Sequence, residues 1–399
     1  MAADPQAAAL ADPTALKLED LRRAVLDPGT VLLEYSLGEP RSYLWVISGG
    51  ARDQVRGFDL PPRTQIEEAA HAFWDAVKGG GDAASVGRAA ARLSQMVLSP
   101  AAGLMANKRL LIVGDGALQY VPFAALADPA QAGGYRPLIQ AHEVIEEPSA
   151  STLALLRRGA TERKPAARTL AVFADPVFEK DDPRVQRKPA QSAAAPAFLT
   201  RAAELRLARL PSTRLEGTSI TSLVPPAERW LALDFDASRA AVTSPRLNDY
   251  RILHFATHGV VESARPELSA LALSLFDAQG QPQDGFLRLY EIYNLKMQAD
   301  LVVLSACDTA LGKNIRGEGL VGLARGFMHA GAPRVVASLW KVDDQATSEL
   351  MRQFYAAMLG PKKMPAAAAL RAAQIAVSKQ ERWRSPYYWA AFVLQGEWK

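Results

Sequence analysis

The chain has 399 residues, with 46 Lys and Arg against 42 Asp and Glu, a formal charge of +4, five histidines and one cysteine. A single cysteine excludes an internal disulfide, a CxxC redox pair and any multi-cysteine zinc site. The small net charge gives no argument for nucleic acid, no apolar run reaches the roughly 18 residues of a membrane span, and the opening MAADPQAAALADP lacks the basic region of a secretory signal. A cytoplasmic globular protein is expected, with room for two to three domain equivalents of about 150 residues.

In chain order, LEDLRRAVL (18–26) reads as a short helix closed by Asp27-Pro28-Gly29. VLLEYSL (31–37) and SYLWVIS (42–48) read as strands joined at Gly38-Glu39-Pro40, which predicts a hairpin. Amphipathic helices are expected around 64–78 and 84–98. RLLIVGDGALQYVPFAAL (109–126) opens as a buried strand and turns at Gly114-Asp115-Gly116. A helix at 149–158 has Ser149 or Ser151 as its N-cap. TLAVFADPVF (169–178) is another strand, and residues 179–212, beginning EKDDPRVQRKPAQSAAAP, hold no steady period. A long exposed loop is expected there, carrying Arg187, Lys188, Arg201, Arg206 and Arg209.

Order returns with strands YRILHFAT (250–257) and LVVLSA (301–306), a helix at 318–330 and strand RVVASLW (334–340). Helices at 345–359 and 365–380 precede the strand WAAFVLQ (389–395), and no internal repeat is visible. Short apolar strands alternating with amphipathic helices predict an α/β fold, a mostly parallel sheet flanked by helices.

Ligands of open parallel sheets bind beyond the carboxyl ends of the strands. Strand 250–257 runs into His258-Gly259, and strand 301–306 runs into Cys307-Asp308. The separation, 307 − 258 = 49 residues, matches the His-to-Cys spacing of about 50 in caspases. An imidazole beside a thiol lowers its pKa or takes its proton during attack, and later protonates the leaving amine. Gly259 leaves room for a substrate backbone, and its N–H with that of Cys307 is suited to a developing oxyanion. Alone, each residue has a plainer role: a small buried hydrophobe for the cysteine, a core residue for the histidine. Thr257 and Asp308, flanking the pair, are expected to hydrogen-bond locally.

Two literal motifs do not survive their context. GEGLVG (317–322) fits GxGxxG, with Asp343 21 residues beyond it, but ten residues separate it from the preceding strand, and a dinucleotide site needs the glycines directly after one. HFATH (254–258) has the histidine spacing of a zinc protease, but Phe255 stands where the glutamate would be.

LHFATHG (253–259), LSACDTALG (304–312), GEGLVGLARGFMHAGAPRVVASLW (317–340) and KVDDQAT (341–347) together resemble the CHAT domain, a caspase-like cysteine peptidase domain often found after tetratricopeptide repeats in bacteria. The resemblance extends to DPGTVLLEYSL (27–37) and DGALQYVPFAAL (115–126). It implies a caspase-like fold with His258 and Cys307 as the dyad, and an endopeptidase that needs neither metal nor organic cofactor. It also implies a degenerate, silent pseudo-peptidase subdomain over residues 1–160, followed by the active subdomain at 161–399.

LWKVDD (339–344) is similar to the separase segment whose aspartate binds a basic P1 side chain, which makes Asp344, then Asp343, the candidate floor of the S1 pocket. The chain departs from separase just after, with Gln345-Ala346-Thr347 in place of further acidic residues, and either aspartate is equally suited to cap the following helix. A solvated spacer is the expectation for 179–212; with a basic P1, self-cleavage there is the alternative.

The implied partners are a protein or peptide substrate, such as a gasdermin-like or other effector, and a TPR or other sensor in cis or in trans, with no direct nucleic-acid or membrane partner. The implied setting is bacterial defence or cell death. DPTALKLEDLRRAVLDPGT (12–30) follows a short Ala-rich start, leaving open both a piece of a longer protein and a stand-alone form. A catalytically silent CHAT interaction or scaffold module is the second reading, against which the intact His258 and Cys307 argue.

Overall fold

Runs rich in Val, Ile and Leu form the strands, and the Ala-rich amphipathic stretches between them form helices. A computed structural model describes residues 15–49, 55–131, 134–186, 198–199, 205, 207–262, 265–305, 307–310, 318–340 and 343–398. The chain divides into two units, Met1–Thr161 with Lys362–Lys399, and Glu162–Pro361. The segment from 362 onward thus returns to the first unit, where the sequence reading places it with the second.

The first unit opens with α1 (Leu18–Val25), β1 (Thr30–Ser36), β2 (Ser42–Ser48) and β3 (Val55–Leu60). β1 and β2 form the expected antiparallel hairpin, and β3 adds a third antiparallel strand on the far side of β2. Helices α2 (Arg63–Lys78) and α3 (Ala83–Val97) pack on each other. The buried positions of α2, namely Ile66, Ala69, Ala70, Phe73 and Val77, follow the helical period and form one apolar stripe. Asp82 caps α3, its Oδ1 accepting from the Ser85 N–H at 2.6 Å.

β4 (Arg109–Val113) and β5 (Val144–Glu147) extend the sheet in parallel from β1. The Gly114-Asp115-Gly116 turn lies just after β4; Gly116 has a φ of 55°, and Asp115 Oδ2 accepts from the Leu37 N–H at 2.7 Å. Helix α4 (Ala150–Glu162) begins where expected, with Ser149 Oγ accepting from the Thr152 N–H.

The second unit begins with β6 (Arg168–Ala174), followed by α5 (Pro211–Thr221), β7 (Arg229–Leu233) and β8 (Tyr250–Ala256). Six strands of three to five residues follow: β9 (His258–Val261), β10 (Ala270–Ala272), β11 (Phe286–Arg288), β12 (Leu301–Leu304), β13 (Cys307–Ala310) and, after α6 (Glu318–His329), β14 (Arg334–Ser338). Helix α7 (Asp344–Leu359) closes the unit. Its main sheet has the order β14-β12-β8-β6-β7, with every described pairing parallel.

Leu253, His254, Phe255 and Ala256 of β8 are all buried, the mark of a strand covered on both faces. Phe255 stacks on its register partner Phe173 of β6 at 5.2 Å and on Phe327 of α6 at 5.5 Å, which packs α6 onto that face of the sheet. Helix α5 lies close against β6 and β7; a Cβ at Gly217 would stand 3.1 Å from Val172 and 3.2 Å from Leu231.

A second, smaller sheet in this unit has the order β11-β10-β9-β13. β8 passes into β9 through one residue, Thr257, whose buried hydroxyl donates to the Ala272 carbonyl at the end of β10. The chain then returns to the first unit with α8 (Ala366–Ser378) and β15 (Phe392–Gly396), which pairs parallel with β5 and completes the order β3-β2-β1-β4-β5-β15.

The stretch 179–212 departs in part from a solvated spacer: Glu179, Lys180 and Asp181 are exposed, but several other described residues are not. Val185, Leu205, Leu207 and Leu210 are buried, Arg184 is held in ion pairs, and α5 begins at Pro211. Residues 187–197, 200–204 and 206, which include Arg187, Lys188, Arg201 and Arg206, lie outside the described residues.

Candidate active site

His258 opens β9, 3% exposed. Its Nε2 lies 2.7 Å from the carbonyl oxygen of Ala208, and because a carbonyl only accepts, Nε2 carries the proton. That hydrogen bond selects the tautomer with Nδ1 as the basic nitrogen. The ring of Phe178 sits 5.0 Å from the imidazole centroid, tilted by 53°, and forms an apolar wall beside it.

Cys307 opens β13, and in the parallel pairing of β9 with β13 its register partner is His258. The main-sheet strands that lead into them are also parallel neighbours, with Leu304 opposite Phe255. The offset is the same in both sheets, since 304 − 255 and 307 − 258 both equal 49. The spacing noticed in the sequence is therefore the register of two ladders, carried without slip from the main sheet into the small one. Gly259 follows His258 inside β9, opposite Leu271 of β10 and Asp308 of β13.

The Ala208 carbonyl and the Phe178 ring are features that residue-type reasoning does not reach. Ala208 offers only its backbone, and Phe178 sits in a run that reads as strand but lies beyond the end of β6. Around them is a charge cluster. Asp175, just past β6, and Asp234, just past the neighbouring β7, both hold positive φ, 47° and 55°. Asp175 is fully buried and takes a two-pronged contact from Arg209, Nε to Oδ1 at 2.9 Å and Nη2 to Oδ2 at 2.8 Å. Arg214 donates to Asp175 Oδ2 at 2.9 Å and also to Asp234. Arg184 reaches Asp182 at 2.6 Å and Asp234 at 2.6 Å. Hydrogen bonds from the arginines hold the Asp182 and Asp234 carboxyls below their ordinary range against the opposing effect of burial.

The other two residues singled out from the sequence stand at the start of α7. Asp343 is the N-cap, its Oδ1 accepting from the Ala346 N–H at 2.9 Å, and Asp344 is the first helical residue, half-buried. His254, the first histidine of HFATH, is engaged in the core. Its Nε2 is 2.8 Å from Glu216 Oε1 and its Nδ1 is 3.0 Å from the Tyr355 hydroxyl. Among the described residues no group of three or more His, Cys, Asp or Glu side chains is arranged to hold a metal, and no helix is long and apolar enough to cross a membrane.

His258 and Cys307 thus stand just beyond the carboxyl ends of the adjacent parallel strands β8 and β12, in a mixed α/β fold whose large sheet is mostly parallel. The CHAT domain model matches residues 87–397, and the chain belongs to that family. Tetratricopeptide repeat protein 28 of Mus musculus is 35% identical over 106 residues, 27% of this chain and 4% of that protein. Its Homo sapiens counterpart is 32% identical over 114 residues, 29% of this chain and again 4% of that protein. The matches thus span a small part of the curated relatives. The separase–securin complex of Saccharomyces cerevisiae aligns with 95% of this chain and 30% of that chain at a TM-score of 0.61 and 8% identity, a likeness of fold. The Arg-specific cysteine proteinase gingipain R aligns over 84% of this chain and 74% of its own at a TM-score of 0.45 and 11% identity.

Proposed function

We propose that the chain is a cysteine endopeptidase of caspase-like mechanism. The observation that carries this reading is the register pairing of Cys307 with His258. Adjacent strands run about 5 Å apart, close enough for side chains at paired positions to come within the roughly 3 Å that proton transfer requires. In this reading the Cys307 thiolate attacks the scissile carbonyl and the thiol proton passes to His258 Nδ1, while Nε2–H stays on the Ala208 carbonyl. The backbone amides of Gly259 and Cys307 stabilise the oxyanion, and the imidazolium returns its proton to the leaving amine, giving a thioester that water hydrolyses.

The first unit is proposed as a silent pseudo-peptidase subdomain, now comprising Met1–Thr161 with Lys362–Lys399. The chain's one cysteine lies at 307, in the second unit, so the first has no thiol nucleophile.

Cleavage after Arg or Lys is proposed through Asp344, with Asp343, the cap of α7, as the second candidate. Kinship with the tetratricopeptide repeat proteins supports regulation by a repeat or other sensor module in cis or in trans. The substrate is proposed to be a protein effector in bacterial defence or cell death, in the cytoplasm, where a lone catalytic thiol stays reduced.

The test is proteomic mapping of new protein N-termini in cells expressing wild type against Cys307→Ala. Termini that appear only with wild type, following Arg or Lys, support the reading. Identical profiles with full biological effect retained in Cys307→Ala would transfer it to a scaffold role.

A further inference from the structure

We infer that Arg209, clamped on Asp175, is a positioning residue that holds the Ala208 carbonyl against His258 Nε2 and so fixes the imidazole tautomer. Residues 207–210 belong to no helix or strand, and Ala208 itself is exposed. Backbone of this kind, left to itself, turns its carbonyl toward water. Here the segment is fastened at every other residue it has. Leu207 and Leu210 are buried on either side of Ala208 and Arg209.

Asp175 grips the segment twice. Its carboxylate takes both prongs of Arg209, and its N–H donates at 2.9 Å to Thr213 Oγ1, which in turn donates to the Leu210 carbonyl at 2.6 Å. A planar fork on a fully buried carboxylate fixes direction as well as distance, which a lysine cannot do. Asp175 is itself set rigidly, at the end of β6 with positive φ and two further arginines, Arg184 and Arg214, on the same carboxylate. The Ala208 carbonyl is thereby referred to the main sheet, the same frame that carries β8 into His258.

Arg209 is the member to remove. Without it Asp175 retains Arg184 at 3.2 Å and Arg214 at 2.9 Å, so the buried charge stays paired and the fold is preserved. The inference rests on the peptidase reading only for the purpose of the tautomer, and its first readout needs no substrate. With five histidines in the chain, 15N-histidine labelling and long-range 1H–15N spectra resolve each imidazole, and His258→Gln assigns the signal of interest.

Wild type is expected to show His258 with its proton on Nε2. Arg209→Gln, at a melting temperature that shows it folded, is expected to show a mixture of tautomers and, in peptide cleavage, kcat/KM lower by roughly tenfold with KM little changed, the scale typical of losing an orienting partner. Arg209→Lys, which keeps the charge without the fork, is expected to fall between the two, and serves in place of Arg209→Gln should the latter not fold. Arg214→Gln takes a different arginine from the same carboxylate and is expected to leave the tautomer as in wild type. An unchanged His258 signal in Arg209→Gln overturns the inference, as does an equal change in Arg214→Gln. A tautomer shift in Arg209→Gln beside a wild type that cleaves nothing supports the clamp and overturns the peptidase reading alone.

Discussion

Cys307 lies directly opposite His258 in the parallel register of β9 and β13. The same offset of 49 residues pairs Leu304 with Phe255 in the sheet below, so any one-residue slip of β12 against β8 would move the cysteine off the histidine. The placement of the proposed dyad therefore depends on the packing of the main sheet. Phe327→Ala, which removes a ring stacked on Phe255, is expected to cost about 3–5 kcal/mol in urea unfolding and to lower cleavage in the fraction that stays folded. Full activity per folded molecule at that loss of stability would uncouple the core from the dyad.

Phe178 has a narrower role. It is buried against the imidazole of His258, and Phe178→Ala should destabilise by about 3 kcal/mol while widening the space around the ring. Phe178→Leu restores most of the volume and should recover stability more fully than kcat. Parallel recovery of both would reduce the ring to core packing.

His254, Glu216 and Tyr355 form a buried hydrogen-bonded trio, with His254 Nε2 on Glu216 Oε1 and Nδ1 on the Tyr355 hydroxyl. Burial, reinforced by Glu216, pushes the Tyr355 hydroxyl well above its ordinary range. Tyr355→Phe should cost about 1–2 kcal/mol, since it deletes one hydrogen-bond partner of the buried imidazole, and Glu216→Ala more, about 2–3 kcal/mol, since the lost partner is a carboxyl. Urea unfolding of the single and double variants measures both and their coupling.

Glu146, near the end of β5 in the first unit, is buried, and desolvation pushes its pKa from 4.5 up to about 8. The folded chain therefore holds a proton on this carboxyl that the unfolded chain releases above its ordinary pKa. The contribution to stability is fully present below about pH 4.5 and is lost as pH rises through about 8, with a slope of about 1.4 kcal/mol per pH unit between them. Glu146→Gln cannot ionise, so its melting temperature, compared with wild type, should gain progressively from pH 5 to pH 8. A constant difference across that window would show that Glu146 ionises normally in the folded state.

The two aspartates before α7 separate by substitution. Asp343→Asn keeps a capping oxygen and should leave stability and P1 preference as they are, whereas Asp343→Ala should cost about 1 kcal/mol. Asp344→Asn should abolish any preference for Arg or Lys at P1. Loss of that preference in Asp343→Asn instead would reverse the two roles.

Strands with strong apolar runs, such as β1, β8 and β14, were legible because composition alone sets them apart, and the spacing of His258 and Cys307 was legible because it is also a register. The short strands β9, β10, β11 and β13 were not. Each is three or four residues long, formed by pairing rather than by its own periodicity, and β9 is separated from β8 only by Thr257. The segment 207–210 read as loop because its order comes from Arg209 reaching Asp175, 34 residues away, a contact that leaves no local pattern. The Ala208 carbonyl was beyond reach for a plainer reason: a backbone acceptor has no residue type.

The dyad is tested most directly by thiol chemistry, which needs no knowledge of the substrate. Cys307 is the chain's one cysteine, so the rate of alkylation by iodoacetamide, followed by intact mass, reports that thiol alone. In wild type the rate should be well above that of a free cysteine at pH 6 to 7 and should rise in two steps. In His258→Ala it should rise once, near the pKa of about 8.5 of an unassisted thiol. Identical profiles for the two proteins would contradict a catalytic pairing of Cys307 with His258.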